Sequence, residues 1–381
     1  MAKKRQYNPS INDAIADALR SRSISLERLA QGWSKNIIEK NLRGLYADLL
    51  GKKIVRDQMQ LLKLGLSGDL AVLPERRFSE YLSIVKNTID LNFGKIGLEI
   101  DDNLVSLASL EGAWVAKTLD KNLGVKMFAS GLTDKSQIKA LQNLTKTLRV
   151  AGAPMKTWWL RQAESFKNRY IDTIQLGWAQ GLNNSVLLES MLSPTMYKNG
   201  TLADPVLDIM KGTLRGAKAL IRTSVQTLAN DARKIVYKEN SDLIKGYVWL
   251  STLDDRTSIE CAGRDGLMWD LDGNPIGHDK VLIWPPAHWN CRSVVTPVLK
   301  TFKELGIDAE EIPESTRASI DGQVPRKETF SSWLKDREET RPGFAEKVFG
   351  KERSDLWKKG KLTIRQMTDQ TGNILSLEEL S

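Results

Sequence analysis

The chain has 381 residues and a mass of 42.8 kDa, which exceeds the usual size of one compact domain, so two or three folded units are expected. Hydrophobic residues make up 41% of it, enough to build cores, and this excludes a chain that is disordered throughout. Fifty-six Lys and Arg residues against 47 Asp and Glu residues leave a net charge of +9, which favours anionic partners, with nucleic acid as the first candidate.

The basic excess is concentrated at the start of the chain. Residues 1–60 hold twelve basic and six acidic side chains, a difference of 12 − 6 = +6. Such a region is either an ordinary solvated helix surface or a surface that faces DNA. If it faces DNA, we expect the phosphate contacts to come from five of these side chains, namely Lys3, Lys4, Arg5, Arg20 and Arg22.

The sequence contains no segment that reads as a membrane span or a secretion signal. It has no run of about 18 apolar residues, and residues 1–6 lead into polar residues without a hydrophobic signal core. Its two cysteines argue against a disulfide framework and fit a reducing site of synthesis. We therefore expect a soluble protein that is made in the cytoplasm.

Apolar residues recur at helical spacing from Ile11 to about Leu148, which predicts an N-terminal helical region over residues 1–150. The clearest stripe has a period of 3.6 residues and consists of Ile37, Ile38, Leu42, Leu45, Leu49 and Leu50. Gly152 and Pro154 then mark a boundary, because neither favours a continuing helix. No motif of a catalytic family occurs in this region.

Residues 151–245 predict a second helical region, with helices at about 155–180 and 213–239. The second helix has an apolar side that consists of Leu220, Ile221, Val225, Leu228, Ile235 and Val236. A polar stripe lies on a different face and consists of Arg222, Gln226, Asn230 and Arg233. Stripes of this kind are more often solvated than functional, so we expect this one to face water.

The pattern changes after Gly246. Residues 247–252 are rich in β-branched and aromatic side chains and predict a strand, and shorter strands are expected at 267–269, 281–284 and 293–297. Residues 301–329 are rich in Glu, Ser, Gly and Pro and read as a linker, whereas residues 330–381 regain helical patterning. The predicted fold class is therefore mainly α, with long helices, a small α+β module near residues 246–300 and a helical C-terminal tail.

Both cysteines and both histidines of the chain fall inside the predicted module, and such clustering is the usual sign of a metal site. His288 and Cys291 have the H-x-x-C spacing that lets two side chains reach one ion. A structural zinc ion is thus one candidate cofactor, with ligands from Cys261, His288 and Cys291 and a fourth from His278 or Asp255. The alternatives are a disulfide between the two cysteines, or thiols packed in a small core beside a hydrogen-bonded histidine.

A metal-dependent nuclease or hydrolase is the alternative from another class of function. Three ligands from Cys261, His288 and Cys291 would leave an open position on the metal, with Glu260 or Asp265 as the base that activates water. The sequence contains none of the common motifs of zinc proteases, zinc deaminases, P-loop enzymes, serine hydrolases or dinucleotide-binding enzymes. We therefore expect no enzymatic activity.

One long motif resembles a known family. Trp249 precedes an Asp-x-Arg-Thr turn, a cysteine, an Asp-Gly pair and a closing Pro-Pro-x-His-x-Asn-Cys-Arg segment, and this combination strongly resembles the signature of phage Mu F-like head morphogenesis proteins. The residues that carry it are Trp249, Asp255, Arg256, Thr257, Cys261, Pro285, Pro286, His288, Cys291 and Arg292. Ser258 departs from the family pattern, because many members have a Cys-x-x-Cys pair at this turn, where this sequence has Ser258 and Cys261.

Flanking residues extend the resemblance to residues 155–300 and, less closely, to 330–380, while residues 1–150 match no family by inspection. Upstream these are Trp158, Ile171, Gly177, Gly181, Arg222, Thr223, Asn230 and Arg233, and downstream they include Trp333, Leu334, 350–353, 356–362 and 375–380. Asp254 or Asp255 can cap the turn, and Arg256 and Arg292 can bridge neighbouring strands.

The resemblance implies a low-copy structural protein of a tailed bacteriophage. It implies a place in the virion interior near the portal, with the portal protein as partner, and scaffolding or major capsid protein as further candidates. Non-specific contact with double-stranded DNA, ejection with that DNA, and no membrane partner in the mature head are the remaining expectations.

Overall fold

The computed structural model describes residues 11–50, 75–123, 128, 135–179, 182, 205–301, 303–305, 316–319, 322–325 and 328–380. Lys3, Lys4 and Arg5 lie outside them. Within the described residues the protein is mainly helical with small antiparallel sheets, which confirms the predicted fold class. None of the described helices has an apolar stretch long enough to cross a membrane.

The α-helices are numbered here in chain order. They are α1 (Ile11–Trp33), α2 (Lys40–Leu50), α3 (Glu75–Leu123), α4 (Lys135–Thr147), α5 (Met155–Ala179), α6 (Pro205–Glu239), α7 (Ile259–Arg264), α8 (Phe330–Thr340), α9 (Phe344–Phe349) and α10 (Lys351–Lys358). A π-helical segment, Ser34–Glu39, joins α1 to α2, and short 3-10 helices occupy Ser241–Leu243 and Ile364–Met367.

The strands are short and antiparallel. They are β1 (Arg149–Val150), β2 (Ala153–Pro154), β3 (Ile244–Leu250), β4 (Met268–Trp269), β5 (Pro275–Ile276), β6 (Val294–Leu299), β7 (Thr316–Ser319) and β8 (Gly322–Pro325). They form two two-stranded sheets, β1-β2 and β7-β8, and a four-stranded sheet in the order β5-β4-β3-β6. Residues 281–284, predicted as a strand, are not one, and the predicted linker contains β7 and β8.

The long helices form where the apolar periodicity predicted them. The stripe from Ile37 to Leu49 is buried, as expected for the core-facing side of an amphipathic helix. Helix α6 begins at Pro205, eight residues before the predicted start at Thr213. Proline suits the first helical position because its missing N–H has no partner there, and Asp208 in the first turn complements the helix dipole.

The chain forms two compact units, and the second comprises the described residues within 29–104 and 148–222. Its core includes an edge-on contact between Phe93 of α3 and Phe166 of α5, with ring centroids 6.2 Å apart. Gly97 lets α3 approach α5, since a Cβ at that position would lie 3.1 Å from the Trp159 indole. Close helix packing therefore forms this unit.

The first unit comprises residues 1–28, 105–147 and 223–381. In its sheet, β3 pairs with β6 on one side, with Trp249 opposite Val295, and with β4 on the other, with Tyr247 opposite Trp269. All six residues of β6 are buried. The sheet packs with Ile15 and Leu19 of α1 and with other buried residues of α3 and α6 in one hydrophobic core.

The C-terminal tail packs against the α+β module within this unit. A second core joins Leu253, Ile259 and Ala262 of the module to Phe330 and Trp333 of α8, among other tail residues. The tail is thus in direct apolar contact with the module. The residue ranges that the sequence suggested for separate domains remain predictions.

Candidate functional site

Trp249 of β3 and Ser251, which lies just beyond the strand, connect the sheet to the first cysteine. Trp249 is fully buried, and its indole N–H donates to Ser251 Oγ over 3.1 Å. Ser251 Oγ donates in turn to the carbonyl oxygen of Cys261 over 2.6 Å. This chain of hydrogen bonds fixes α7, which carries Cys261, against the strand.

The turn between β3 and α7 is held by Asp254, one of the two residues that the sequence suggested as its cap. Asp254 is buried, and its Oδ1 accepts hydrogen bonds from the Arg256 backbone N–H at 3.1 Å and the Thr257 hydroxyl at 3.2 Å. The Arg292 guanidinium donates to both carboxylate oxygens of Asp254, at 2.5 and 2.7 Å. Asp255 is exposed.

The contact with Arg292 determines the direction in which the pKa of Asp254 is shifted. Burial alone would raise the pKa of Asp254, but the hydrogen bonds and charge of Arg292, helped by the backbone N–H and charge of Arg256, outweigh it and lower the pKa. Arg256 itself is 62% exposed and lies 3.3 Å from the Glu27 carboxylate of α1. Arg292 thereby joins the segment that follows Cys291 to the turn that follows β3.

Three side chains of the predicted cluster meet at one point. The ligand atoms of Cys261, His288 and Cys291 all lie within 4.8 Å of one another. Cys261 Sγ is 3.1 Å from His288 Nε2 and 3.6 Å from Cys291 Sγ, and both cysteines are buried and free. Ser258 adds a fourth polar atom, with its Oγ 2.8 Å from His288 Nε2.

The pKa values of the two thiols are shifted in opposite directions. The hydrogen bond from Cys261 lowers the pKa of Cys291 against the opposing effect of burial, and His288 adds to this lowering. The same hydrogen bond, together with burial, raises the pKa of Cys261. Burial would lower the pKa of His288, but hydrogen bonding and the charge of Cys291 raise it.

His278, the fourth predicted ligand, is placed elsewhere. Its Nε2 donates to the Met268 carbonyl at 2.7 Å, and its Nδ1 accepts the Lys280 backbone N–H at 3.2 Å. The ring also lies edge-on to Trp269, with centroids 4.9 Å apart. Both ring nitrogens are occupied by backbone groups, so His278 stabilises the β4-β5 hairpin and does not join the cluster.

The segment between His288 and Cys291 has a left-handed residue. Asn290 has a φ of 61°, a conformation that asparagine adopts more readily than most residues. Its backbone N–H donates to Thr223 Oγ1 of α6 at 3.0 Å. Pro285 and Pro286 lead into this segment through a cis peptide bond.

The polar stripe of α6 is buried in its C-terminal part, so the expectation that it faces water was wrong. Gln226 is 3% exposed, and its amide donates to the backbone oxygen and the hydroxyl of Ser23 in α1 at 3.1 and 3.0 Å. Ser23 Oγ also lies 3.0 Å from the Arg292 carbonyl and donates to it. The stripe therefore supports the segment that carries Cys291.

Arg233 of the same stripe forms a fully buried ion pair. Its Nε and Nη2 donate to Glu111 Oε1 of α3 at 3.0 and 2.6 Å, and neither side chain is exposed. Arg22 of α1 donates to the other oxygen of Glu111 at 2.8 Å and lies over the Trp114 ring. One carboxylate thus joins three helices.

The two described residues predicted to contact DNA are engaged inside the protein. The Arg22 side chain is 25% exposed and pairs with Glu111, and the Arg20 side chain is 8% exposed and pairs with Asp17 at 3.0 Å. Each charge is already partly compensated.

Three buried charged residues of the module were not singled out from the sequence as contacts to the tail. Arg264 is fully buried and donates to the carbonyls of Val281 and Thr371, both at 2.7 Å. Lys280 donates to the carbonyls of Thr368 and Asp369 at 2.7 and 3.0 Å. Asp265 accepts the backbone N–H of Phe330 at 2.8 Å. The only sequence signal for these contacts to the tail was that each charged residue lies in an otherwise apolar, turn-rich segment.

The fold and the site together define a mainly α protein with a small Cys/His module on which a helical tail is docked. Residues 187–296 match the family model described as Phage Mu protein F like protein. The match includes Cys261, His288 and Cys291, and it confirms the resemblance seen in the sequence for this part of the chain.

Over 143 residues the chain is also 25% identical to an uncharacterized protein of Haemophilus influenzae strain Rd. That match covers 37% of this chain and 28% of the relative, so the chain spans well under two thirds of the relative's length. No solved structure matches the chain significantly.

Proposed function

We propose that the protein is a minor head protein of a tailed bacteriophage that acts in head morphogenesis as a structural component. The observation that carries this proposal is the match of residues 187–296 to the Phage Mu protein F like family. A phage head family fits a place in the virion and contacts with other head components. We propose further that the protein lies inside the head, next to the portal protein.

The geometry of the module supports a structural role over catalysis. Both carboxylate oxygens of Asp265, one of the two candidate bases, accept backbone N–H groups at 2.8 Å. Cys261 and Cys291 are 2% and 1% exposed, which leaves little room for a substrate at their sulfur atoms. These contacts hold chain segments together, and they favour a structural role over the hydrolase alternative.

Quantitative mass spectrometry of purified virions tests the proposal. We expect the protein in virions at far fewer copies than the major capsid protein, because the resemblance is to a portal-associated component. Cross-linking of intact heads should join it to the portal protein more often than to the major capsid protein. Its absence from virions, or a copy number like that of the major capsid protein, would contradict the proposal.

We also propose that the protein contacts DNA, on the basis of the basic side chains near the start of the sequence. Since Arg20 and Arg22 already pair with internal carboxylates, we assign the contact chiefly to Lys3, Lys4 and Arg5. Binding should be non-specific, and it should weaken steeply with salt because phosphate contacts release counterions.

A charge-matched comparison tests this assignment on duplex DNA of mixed sequence. Replacing Lys3, Lys4 and Arg5 by Gln should weaken binding at low salt and reduce its salt dependence. Replacing three exposed lysines of α3, Lys86, Lys95 and Lys117, by Gln removes the same charge from a different part of the sequence and serves as the control. Equal effects of the two triple variants would show that only net charge matters, and would overturn the assignment.

A further inference from the structure

We propose that Cys261, His288 and Cys291 bind one zinc ion as a structural site, with Ser258 at the fourth position of the ion. This site is independent of the role in the phage head. It follows from the positions of four side chains, the chemistry of their donor atoms and the hydrogen bonds that hold them in place.

The spacing of the donor atoms fits tetrahedral zinc. With Zn–S bonds of about 2.3 Å and Zn–N bonds of about 2.0 Å, tetrahedral geometry places two sulfur ligands roughly 3.8 Å apart and a sulfur and a nitrogen roughly 3.5 Å apart. The two Sγ atoms are 3.6 Å apart, and Cys261 Sγ lies 3.1 Å from His288 Nε2. For these two pairs, shifts of a few tenths of an ångström reach the tetrahedral distances, and the third pair, His288 Nε2 and Cys291 Sγ, lies within 4.8 Å.

The donor set also has the right chemistry. Two thiolates and one imidazole are the ligands that zinc prefers in proteins, and two thiolates balance the charge of the ion. His288 Nδ1 lies 2.9 Å from the Trp289 carbonyl, where it donates a hydrogen bond. This contact leaves the lone pair on Nε2, the atom that points into the cluster, as in most zinc-binding histidines.

The ligands are held in position by contacts outside the cluster. Cys261 lies in α7, whose first turn is capped by Ser258 Oγ, and its carbonyl is fixed by Ser251. Cys291 lies between Asn290, bonded to Thr223, and Arg292, bonded to Asp254. Zinc binding would need little ordering of the chain, which favours affinity.

Ser258 sits where a fourth ligand would be needed. Its Oγ is 2.8 Å from His288 Nε2 and 3.4 Å from the Cys261 backbone nitrogen, three residues before Cys261. A hydroxyl is a weak zinc ligand, whereas a thiolate at this position would complete a Cys-x-x-Cys pair. The substitution Ser258→Cys should therefore strengthen the site, with the sulfur in place of the Ser258 hydroxyl beside the Cys261 backbone N–H.

The first test is elemental analysis of the full chain purified with reductant and with zinc present. We expect one zinc per chain in the wild type, and loss of that zinc in His288→Ala and Cys291→Ser. The matched control is His278→Ala, which removes the other histidine of the module and should leave the zinc content unchanged. Zinc-free wild type, or equal loss of zinc in the His278 and His288 variants, would overturn the proposal.

The second test remains informative if the loss variants fail to fold. In competition with a colorimetric zinc chelator, Ser258→Cys should hold zinc roughly tenfold or more tightly than the wild type, and Ser258→Ala should hold it no more tightly than the wild type. Replacement of zinc by cobalt should add thiolate charge-transfer absorbance in Ser258→Cys relative to the wild type. No gain in affinity on Ser258→Cys would contradict the placement of the fourth position.

Mass measurement of the protein purified without reductant distinguishes the proposed zinc site from a disulfide between Cys261 and Cys291. A bound zinc keeps both thiols reduced, so we expect the mass of the dithiol form after denaturation in acid. A mass two hydrogens lower in zinc-free protein would identify the pair as a disulfide and overturn the proposal.

Discussion

One carboxylate oxygen of Asp265 accepts the backbone N–H of Phe330, the first residue of α8, at 2.8 Å. The other oxygen accepts the backbone N–H of Ser251 at 2.8 Å, just beyond the end of β3. A single buried side chain thus ties the start of the C-terminal tail to the central strand of the module. Arg264 and Lys280 repeat this relationship further along the tail, through its carbonyl groups.

Replacing Asp265 by Asn should destabilise the protein by about 2 kcal/mol, because an amide accepts on one side only and leaves a buried N–H without a partner. The control is Asp255→Asn, which makes the same chemical change at an exposed position ten residues earlier. Urea unfolding followed by Trp fluorescence measures both. Similar unfolding midpoints for the two variants would show that the bridge from Asp265 contributes nothing.

Replacing Arg233 by Met should cost about 3–5 kcal/mol, since it breaks a buried ion pair and leaves Glu111 with Arg22 alone. The matched control is Arg256→Met, whose side chain is 62% exposed, and it should cost at most about 1 kcal/mol. Denaturant unfolding at neutral pH provides the comparison.

A second substitution separates charge from packing in this prediction. Adding Glu111→Leu to Arg233→Met should recover part of the lost stability, because the double variant has no buried carboxylate to satisfy. If the double variant loses at least as much unfolding free energy as the two single variants lose together, packing rather than charge pairing determines the role of Arg233.

The Asp254–Arg292 pair predicts a dependence of stability on acid. The folded protein holds the pKa of Asp254 below its usual value, so the pair contributes stability above the unfolded pKa of about 3.9. That contribution is lost as the pH falls through the lowered folded pKa. The difference in unfolding free energy between wild type and Asp254→Asn should therefore be largest near neutral pH and shrink below about pH 4.

Urea midpoints from pH 7 down to the acid range check this prediction. Asp255→Asn again serves as the control, because it makes the same chemical change at an exposed neighbouring position. A difference for Asp254→Asn that stayed constant across the range would contradict it.

The left-handed backbone of Asn290 predicts that its replacement by alanine and by glycine will have different effects on stability. With its φ of 61°, Asn290→Ala should cost about 1 kcal/mol, whereas Asn290→Gly should be close to neutral, because glycine has no Cβ to clash in the left-handed region. Thermal unfolding of the two variants measures the contrast. Equal melting temperatures would show that the side chain of Asn290, and not its backbone conformation, determines its role.

The sequence predicted those features whose cause is local. Periodicity located α5, α6 and the stripe from Ile37 to Leu49, and β-branched residues located β3. Residues 281–284 have a strand-like composition, but the Val281 backbone bonds to Gln370 and Arg264 rather than to a neighbouring strand. Composition alone carries no information on such partners.

Long-range contacts explain the remaining differences. Arg233 and Gln226 are buried against Glu111 and Ser23, which are 122 and 203 residues away in sequence. A local pattern of residues could not indicate these contacts. His278 and His288 are close in sequence, yet only His288 reaches the cysteines, since His278 is bonded to the β4-β5 hairpin. Asp254 and Asp255 are neighbours with opposite exposure, a distinction that the motif could not make.

The docking of the tail has a consequence for assembly. Residues 330–380 behave as an intramolecular ligand of the module, with an effective concentration set by the connection through residues 301–329. The contacts from Asp265, Arg264 and Lys280 are made to backbone groups of the tail, so an identical tail from a second copy would satisfy them equally well. Exchange of tails between neighbouring copies would then link them in a ring or a chain without any new interface, through contacts that each copy already makes alone.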